Sequence, residues 1–142
     1  MVRFIVSLVL LLASIFGAFA VDRGNPLMFI SIPGLMIMLL APLFAMLAVW
    51  RFAEIGRAFG DAFSRKADST SRAKSARIWD FTEKVCYATG VIAFFLGAVL
   101  ILSRLYGDVA ELGRAAATTL VAPSYGVILG IVCRILKARV ER

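Results

Sequence analysis

The chain has 142 residues, 61% of them hydrophobic, with a mean hydropathy of +0.90 and a formal net charge of +7. A chain this short cannot hide so much apolar surface around a water-soluble core, and uncharged apolar runs of about 20 residues read as membrane spans. The basic balance does not point to nucleic acid, because the cations sit in loops that flank the apolar runs, where they set orientation and attract anionic headgroups.

Phe4 to Val21 is a continuous apolar run after Arg3. With Ala18-Phe19-Ala20 near its end it resembles a signal peptide, but the chain contains it, and it is read as a first transmembrane helix over about 4–21. Asp22 to Pro26 is a tight polar turn, broken by Gly24 and Pro26. A second span follows over about 27–50. Pro33 and Gly34 sit in its first turns, and Pro42 predicts a kink in its middle. Trp50 and Arg51 mark its exit, an aromatic belt followed by a cation.

Residues 51–84 form the main polar stretch. Phe52, Ile55, Phe59 and Phe63 recur at helical spacing, so the second span is expected to continue as an amphipathic helix. Ala67 to Ser71 reads as a turn, and Ser69 to Ser71 as a cap for a helix that runs into the third span. That span covers about 85–103, a short loop of balanced charge follows from Arg104 to Arg114, and a fourth span covers about 115–133.

Orientation follows from the cations. The 51–84 loop holds Arg51, Arg57, Arg65, Lys66, Arg72, Lys74, Arg77 and Lys84, and the tail holds Arg134, Lys137, Arg139 and Arg142. The other two loops hold only Arg23, Arg104 and Arg114, each matched by acids. The positive-inside rule then predicts an all-α membrane protein of four transmembrane helices, a single domain over 1–142, with both termini and the helical 51–84 loop in the cytoplasm.

No catalytic constellation is visible: there is no phosphate-binding Gly loop, no Ser/His/Asp set and no metal-ligand spacing, so neither an enzyme nor a cofactor is expected. The chain lacks His and has only Cys86 and Cys133. Both fall near the cytoplasmic ends of spans, where thiols stay reduced, and read as small packing residues.

The informative stretch is the hairpin from Tyr87 to Cys133, whose spans carry small residues where the first two carry large aliphatics. Cys86, Gly90, Ala93 and Gly97 make one small stripe; Thr118, Ala122, Gly126 and Gly130 make another, edged by Thr119, Pro123 and Val127. Small residues mark helix interfaces in lipid. They serve either packing within one chain or, in addition, contacts with neighbouring subunits, which so much small surface favours. None of the spans carries a charged side chain, whereas a self-sufficient proton carrier needs one. The polar groups on offer are Tyr87, Thr89, Thr118, Thr119, Ser124 and Tyr125; each hydroxyl either lines a path for ions or bonds its own helix one turn back.

Three stretches together resemble the MotA/TolQ/ExbB proton-channel family, the MotA branch in particular. Phe29 to Ile37 (FISIPGLMI) is similar to the start of the MotA second span. Glu83 to Gly90, continued to Gly97, is similar to the third span. Gly107-Asp108 to Gly113, followed by Leu120 to Gly126 (LVAPSYG), is similar to the loop and fourth span. The resemblance implies a pentameric ring in a bacterial inner membrane, a homo-oligomer around two copies of a single-span MotB/TolR/ExbD-like partner. That partner's membrane aspartate passes the ions that drive rotation. It also implies that the third and fourth spans line the central cavity, with Tyr87, Thr89, Thr118, Thr119, Pro123 and Ser124 along the ion path and the first two spans facing lipid.

The chain departs from the family at three points. The family's third-span proline falls near Tyr87. Its fourth-span threonine falls at Pro123, with Ala122 in the neighbouring place, leaving Ser124 or Thr119 to supply a hydroxyl. The cytoplasmic loop is too short for the domain that engages a flagellar rotor. Two other readings therefore stand beside the motor subunit: a non-conducting scaffold of the same fold, and an unrelated four-span transporter.

Overall fold

Two long antiparallel helices form the body of the protein in a computed structural model, which describes positions 6, 9, 10, 13 and 14 and residues 31–63, 68–103 and 109–141. The helices are α1 (Ile32–Val49), α2 (Phe52–Phe63), α3 (Ser69–Ser103) and α4 (Val109–Val140). There is no strand among the described residues. Of the first span expected over 4–21, Val6, Val9, Leu10, Ala13 and Ser14 are helical and exposed; the rest of it, the turn after it and positions 27–30 lie outside the described residues.

α3 and the Ala115–Val140 part of α4 are each long and apolar enough to cross a membrane, and α1 with α2 makes a third such segment only as a bent pair. The 35 residues of α3 reach roughly 50 Å, against a hydrocarbon core of about 30 Å. Its apolar part, 85–103, is long enough by itself, as is 115–133 on α4. Both helices therefore overhang on one side, through 69–84 and 134–140.

α1 begins where the chain can satisfy its first amides. Ser31 is extended (φ −98°, ψ 105°), and its hydroxyl accepts from the Gly34 N–H, as an N-cap should. Pro33 follows at the start, where its missing N–H costs nothing, and the helix runs on through Pro42 to Val49. It lies across the hairpin, burying Met38 near Ala93, Val121, Ala122 and Tyr125, and Met46 near Cys86, Cys133 and Trp79.

The second span does not continue straight into the polar stretch. The helix ends at Trp50, which is extended (φ −126°, ψ 152°), and α2 leaves at 112° to α1. Two contacts fix this elbow. The Trp50 ring meets Phe81 edge-on at 5.0 Å. Glu54 reaches back to accept from the Arg51 N–H (3.1 Å) and binds Lys74 (2.6 Å), half of a capping box joined to an ion pair that holds its carboxyl below the usual range.

α2 is amphipathic, but of the four residues that mark its helical spacing only Ile55 is buried. Ile55, Ala58 and Ala62 are buried, while Phe52, Phe59 and Phe63 are exposed. Trp79 of α3 takes the space: its indole N–H donates to the Ala58 carbonyl (3.3 Å), and its ring meets Phe59 edge-on at 4.7 Å. Small residues at 58 and 62 admit that large side chain.

α3 starts at Ser69 behind Asp68, whose carboxylate accepts from the Ser69 N–H (2.8 Å). Ser71 is thus already helical and its hydroxyl serves Asp61 instead (2.6 Å). α4 starts at Val109, so residues 109–114 of the expected loop are helical.

Candidate functional site

The seam between α3 and α4 collects most of the singled-out residues, and glycine lets the backbones touch there. A Cβ at Gly90 would lie 3.5 Å from the Cα and carbonyl oxygen of Pro123 and from the Gly126 Cα. At Gly126 it would lie 2.8 Å from the Cys86 carbonyl oxygen. Two turns away on one side and one turn on the other, side chains fill the space that glycine leaves. A Cβ at Gly97 would stand 2.6 Å from the Thr119 methyl and 2.8 Å from its Cβ; at Gly130 it would stand 2.6 Å from the Tyr87 Cζ. Ala93 and Ala122 are buried beside Met38 and Tyr125.

The two small stripes offered by the sequence thus meet each other within one chain, with Thr119 rather than Thr118 opposite Gly97. What α3 shows outward is large: Val91, Ile92, Phe95, Val99 and Leu102 are all more than half exposed.

The hydroxyls are placed as follows. Thr119 is buried and donates to the Ala115 carbonyl (2.8 Å), and Ser124 donates to the Leu120 carbonyl (3.1 Å). Each bonds its own helix one turn back. Thr89 is buried, Tyr87 lies along Gly130, and Pro123 contributes its backbone to the contact with Gly90. The side chain of Thr118 lies outside the described residues. Among the described residues no group of His, Cys, Asp or Glu could hold a metal ion.

Two features carry no sequence signal because each joins distant positions. The Ser31 N–H donates to the Tyr125 hydroxyl (3.2 Å), both residues buried, which seats the start of α1 on the middle of α4. The free thiols of Cys86 and Cys133 are both buried in one core cluster.

Where the helices leave the apolar part, ion pairs replace glycine. Asp80 binds Lys137 and Lys84, each at 2.7 Å, and Glu83 lies 3.7 Å from Arg134. Lys137, then Lys84, hold the Asp80 carboxyl down to about 2, and Asp80 in turn raises Lys137. α2 is tied to the same overhang, with Asp61 accepting from the hydroxyls of Ser71 and Ser75 (both 2.6 Å).

The arrangement is a tightly closed, uncharged seam inside the apolar part, continued by a charged and hydrogen-bonded brace beyond it. Comparison of the chain with protein-family profiles, with curated proteins and with solved structures gives no match.

Proposed function

We propose that the chain is a subunit of an ion-driven, proton-powered motor complex of the MotA/TolQ/ExbB kind in a bacterial inner membrane. Five copies encircle two copies of a single-span MotB/TolR/ExbD-like partner, which supplies the titrating membrane aspartate. The family resemblance of the three quoted stretches motivates this reading. The observation that carries it is the α3–α4 hairpin, which runs as one stiff unit from the glycine seam at Gly90 and Gly126 to the Asp80–Lys137 brace. A ring that turns against an inner dimer transmits torque only if each subunit resists bending between its membrane part and its overhang.

A second reading, a non-conducting scaffold of the same fold, is favoured by Thr119 and Ser124, whose hydroxyls are both engaged by their own helix. Proton leak through the full complex in its native membrane separates the two. The motor reading expects wild-type flux above the level of cells lacking the chain, and a drop in Thr89→Ala, Thr119→Ala or Ser124→Ala. Flux that persists unchanged in all three contradicts the ion-path assignment. No flux from the intact wild-type complex selects the scaffold.

A further inference from the structure

α2 is held crosswise at the level where the apolar parts of the other helices end. At one end Trp50 rests on Phe81, and midway Ala58 and Phe59 rest on Trp79. Trp79 precedes Val85, the start of the apolar part, by six residues, or roughly 9 Å along α3. Phe81 precedes Val85 by four residues, roughly 6 Å, so α2 runs from within to just beyond the headgroup layer of about 5–7 Å that flanks a hydrocarbon core.

The rotation of α2 about its own axis is fixed as well. Glu54 and Asp61 lie on one edge and are pulled by Lys74, Ser71 and Ser75 toward the first turns of α3, away from the apolar part. Ile55, Ala58 and Ala62 face inward. At 3.6 residues per turn, Phe52, Phe59 and Phe63 share the remaining edge, opposite Glu54 and Asp61. They are 74%, 47% and 43% exposed, and they face the side where the bilayer's hydrocarbon lies.

The two acids of α2 are engaged by α3, whereas Arg51 at the elbow is exposed and in no ion pair among the described residues. An open hollow of 530 Å³ lies at the elbow, lined by Leu47, Ala48 and Val49 on the α1 side and by Trp50, Arg51, Phe52 and Glu54 at the turn. With Glu54 held by Lys74, Arg51 is left to meet an anionic headgroup whose acyl chain lies along α1.

We propose that α2 is an in-plane membrane anchor that seats Phe52, Phe59 and Phe63 in the headgroup–acyl boundary and binds anionic phospholipid through Arg51. An amphipathic helix with an aromatic face and basic residues binds a bilayer in this way. The anchor does not depend on whether the complex conducts ions. It fixes the depth and tilt of the elbow and resists sliding of the hairpin through the membrane.

Photocrosslinking tests it in the full chain, reconstituted in vesicles of phosphatidylcholine and phosphatidylglycerol. p-Benzoylphenylalanine replaces Phe59, Phe95 as a control within the apolar part, or Arg57 on the outer edge. Expected are adducts of phospholipid mass at 59 and 95, and few at 57. At 59, phosphatidylglycerol exceeds its share of the mixture by up to about fivefold, and Arg51→Gln removes the excess. Lipid adducts at 95 with none at 59 overturn the proposal. So does a crosslink from 59 to a second copy of the chain or to another protein. Adducts at 59 that follow the bulk lipid ratio overturn the role of Arg51.

Discussion

Gly126 faces Gly90 so closely that a methyl group at position 126 would lie 2.8 Å from the Cys86 carbonyl oxygen and 3.0 Å from the Gly90 Cα. Both obstacles are backbone, so only a separation of the helices relieves the clash. Gly126→Ala is expected to destabilise the protein by about 1–3 kcal/mol. Gly60→Ala is the control: a Cβ there meets nothing within 4 Å, and alanine is the better helix former by roughly 0.5–1 kcal/mol. Unfolding of the full chain in detergent should move in opposite directions for the two.

Gly97 and Thr119 form a knob-and-hole pair. A methyl at 97 would meet the Thr119 Cβ at 2.8 Å, and turning the threonine aside breaks its bond to the Ala115 carbonyl. Gly97→Ala should cost about 1–3 kcal/mol. Adding Thr119→Ala removes the hydroxyl and the methyl that stand nearest and leaves only the Cβ contact, so the double variant should be more stable than the sum of the singles by about 1 kcal/mol. Additive effects in a double-mutant cycle would mean that the two side chains do not meet.

The seam is legible in the sequence because lipid removes the usual ambiguity of small residues. With no hydrophobic drive between helices, close approach is what small residues are for: Gly90 and Gly126 bring backbones together, and Gly97 and Gly130 admit Thr119 and Tyr87. Sequence leaves open whether the partner of such a stripe is in the same chain; here each stripe is the other's partner. The elbow at Trp50 is illegible for a different reason. No Gly or Pro separates Val49 from Phe52, and helical spacing resumes at once, so the pattern reads as one continuous helix. The bend is set by Glu54 together with Phe81 and Lys74, and the last two are far from the break in sequence. Likewise the spacing of Phe52, Ile55, Phe59 and Phe63 predicts an amphipathic helix without saying which edge is buried; Ala58 and Ala62 are buried beside Ile55 because Trp79 needs room.

Tyr125 carries the start of α1. Tyr125→Phe keeps the ring in place but removes the oxygen that accepts from the Ser31 N–H. The expected loss is about 1 kcal/mol, the scale of polar contacts between membrane helices. Hydrogen exchange at Ser31 should speed up, with exchange in the α3–α4 seam unchanged. Equal protection at Ser31 in both proteins would refute the clamp.

Asp80 lies outside the apolar part and predicts the direction of a pH effect. Its pKa is lowered from 3.8 to about 2 by Lys137 and Lys84, so the unfolded chain binds the proton more readily than the folded one. Its contribution is complete above pH 3.8 and is lost as the pH falls through about 2. Stability of the detergent-solubilised chain should therefore fall over this window. Asp80→Asn should flatten that part of the profile and leave the remaining carboxylates to set the rest. An identical slope in wild type and variant would contradict the brace.

The most direct measurement is the number of copies in the complex, by native mass spectrometry of material extracted from its own membrane. Five copies of the chain with two of a smaller single-span protein is the expected result, and it would give the stiff hairpin a ring to serve. A monomer, dimer or trimer without such a partner would contradict the motor and ring-scaffold readings alike and leave the seam at Gly90 and Gly126 as packing within an isolated helical bundle.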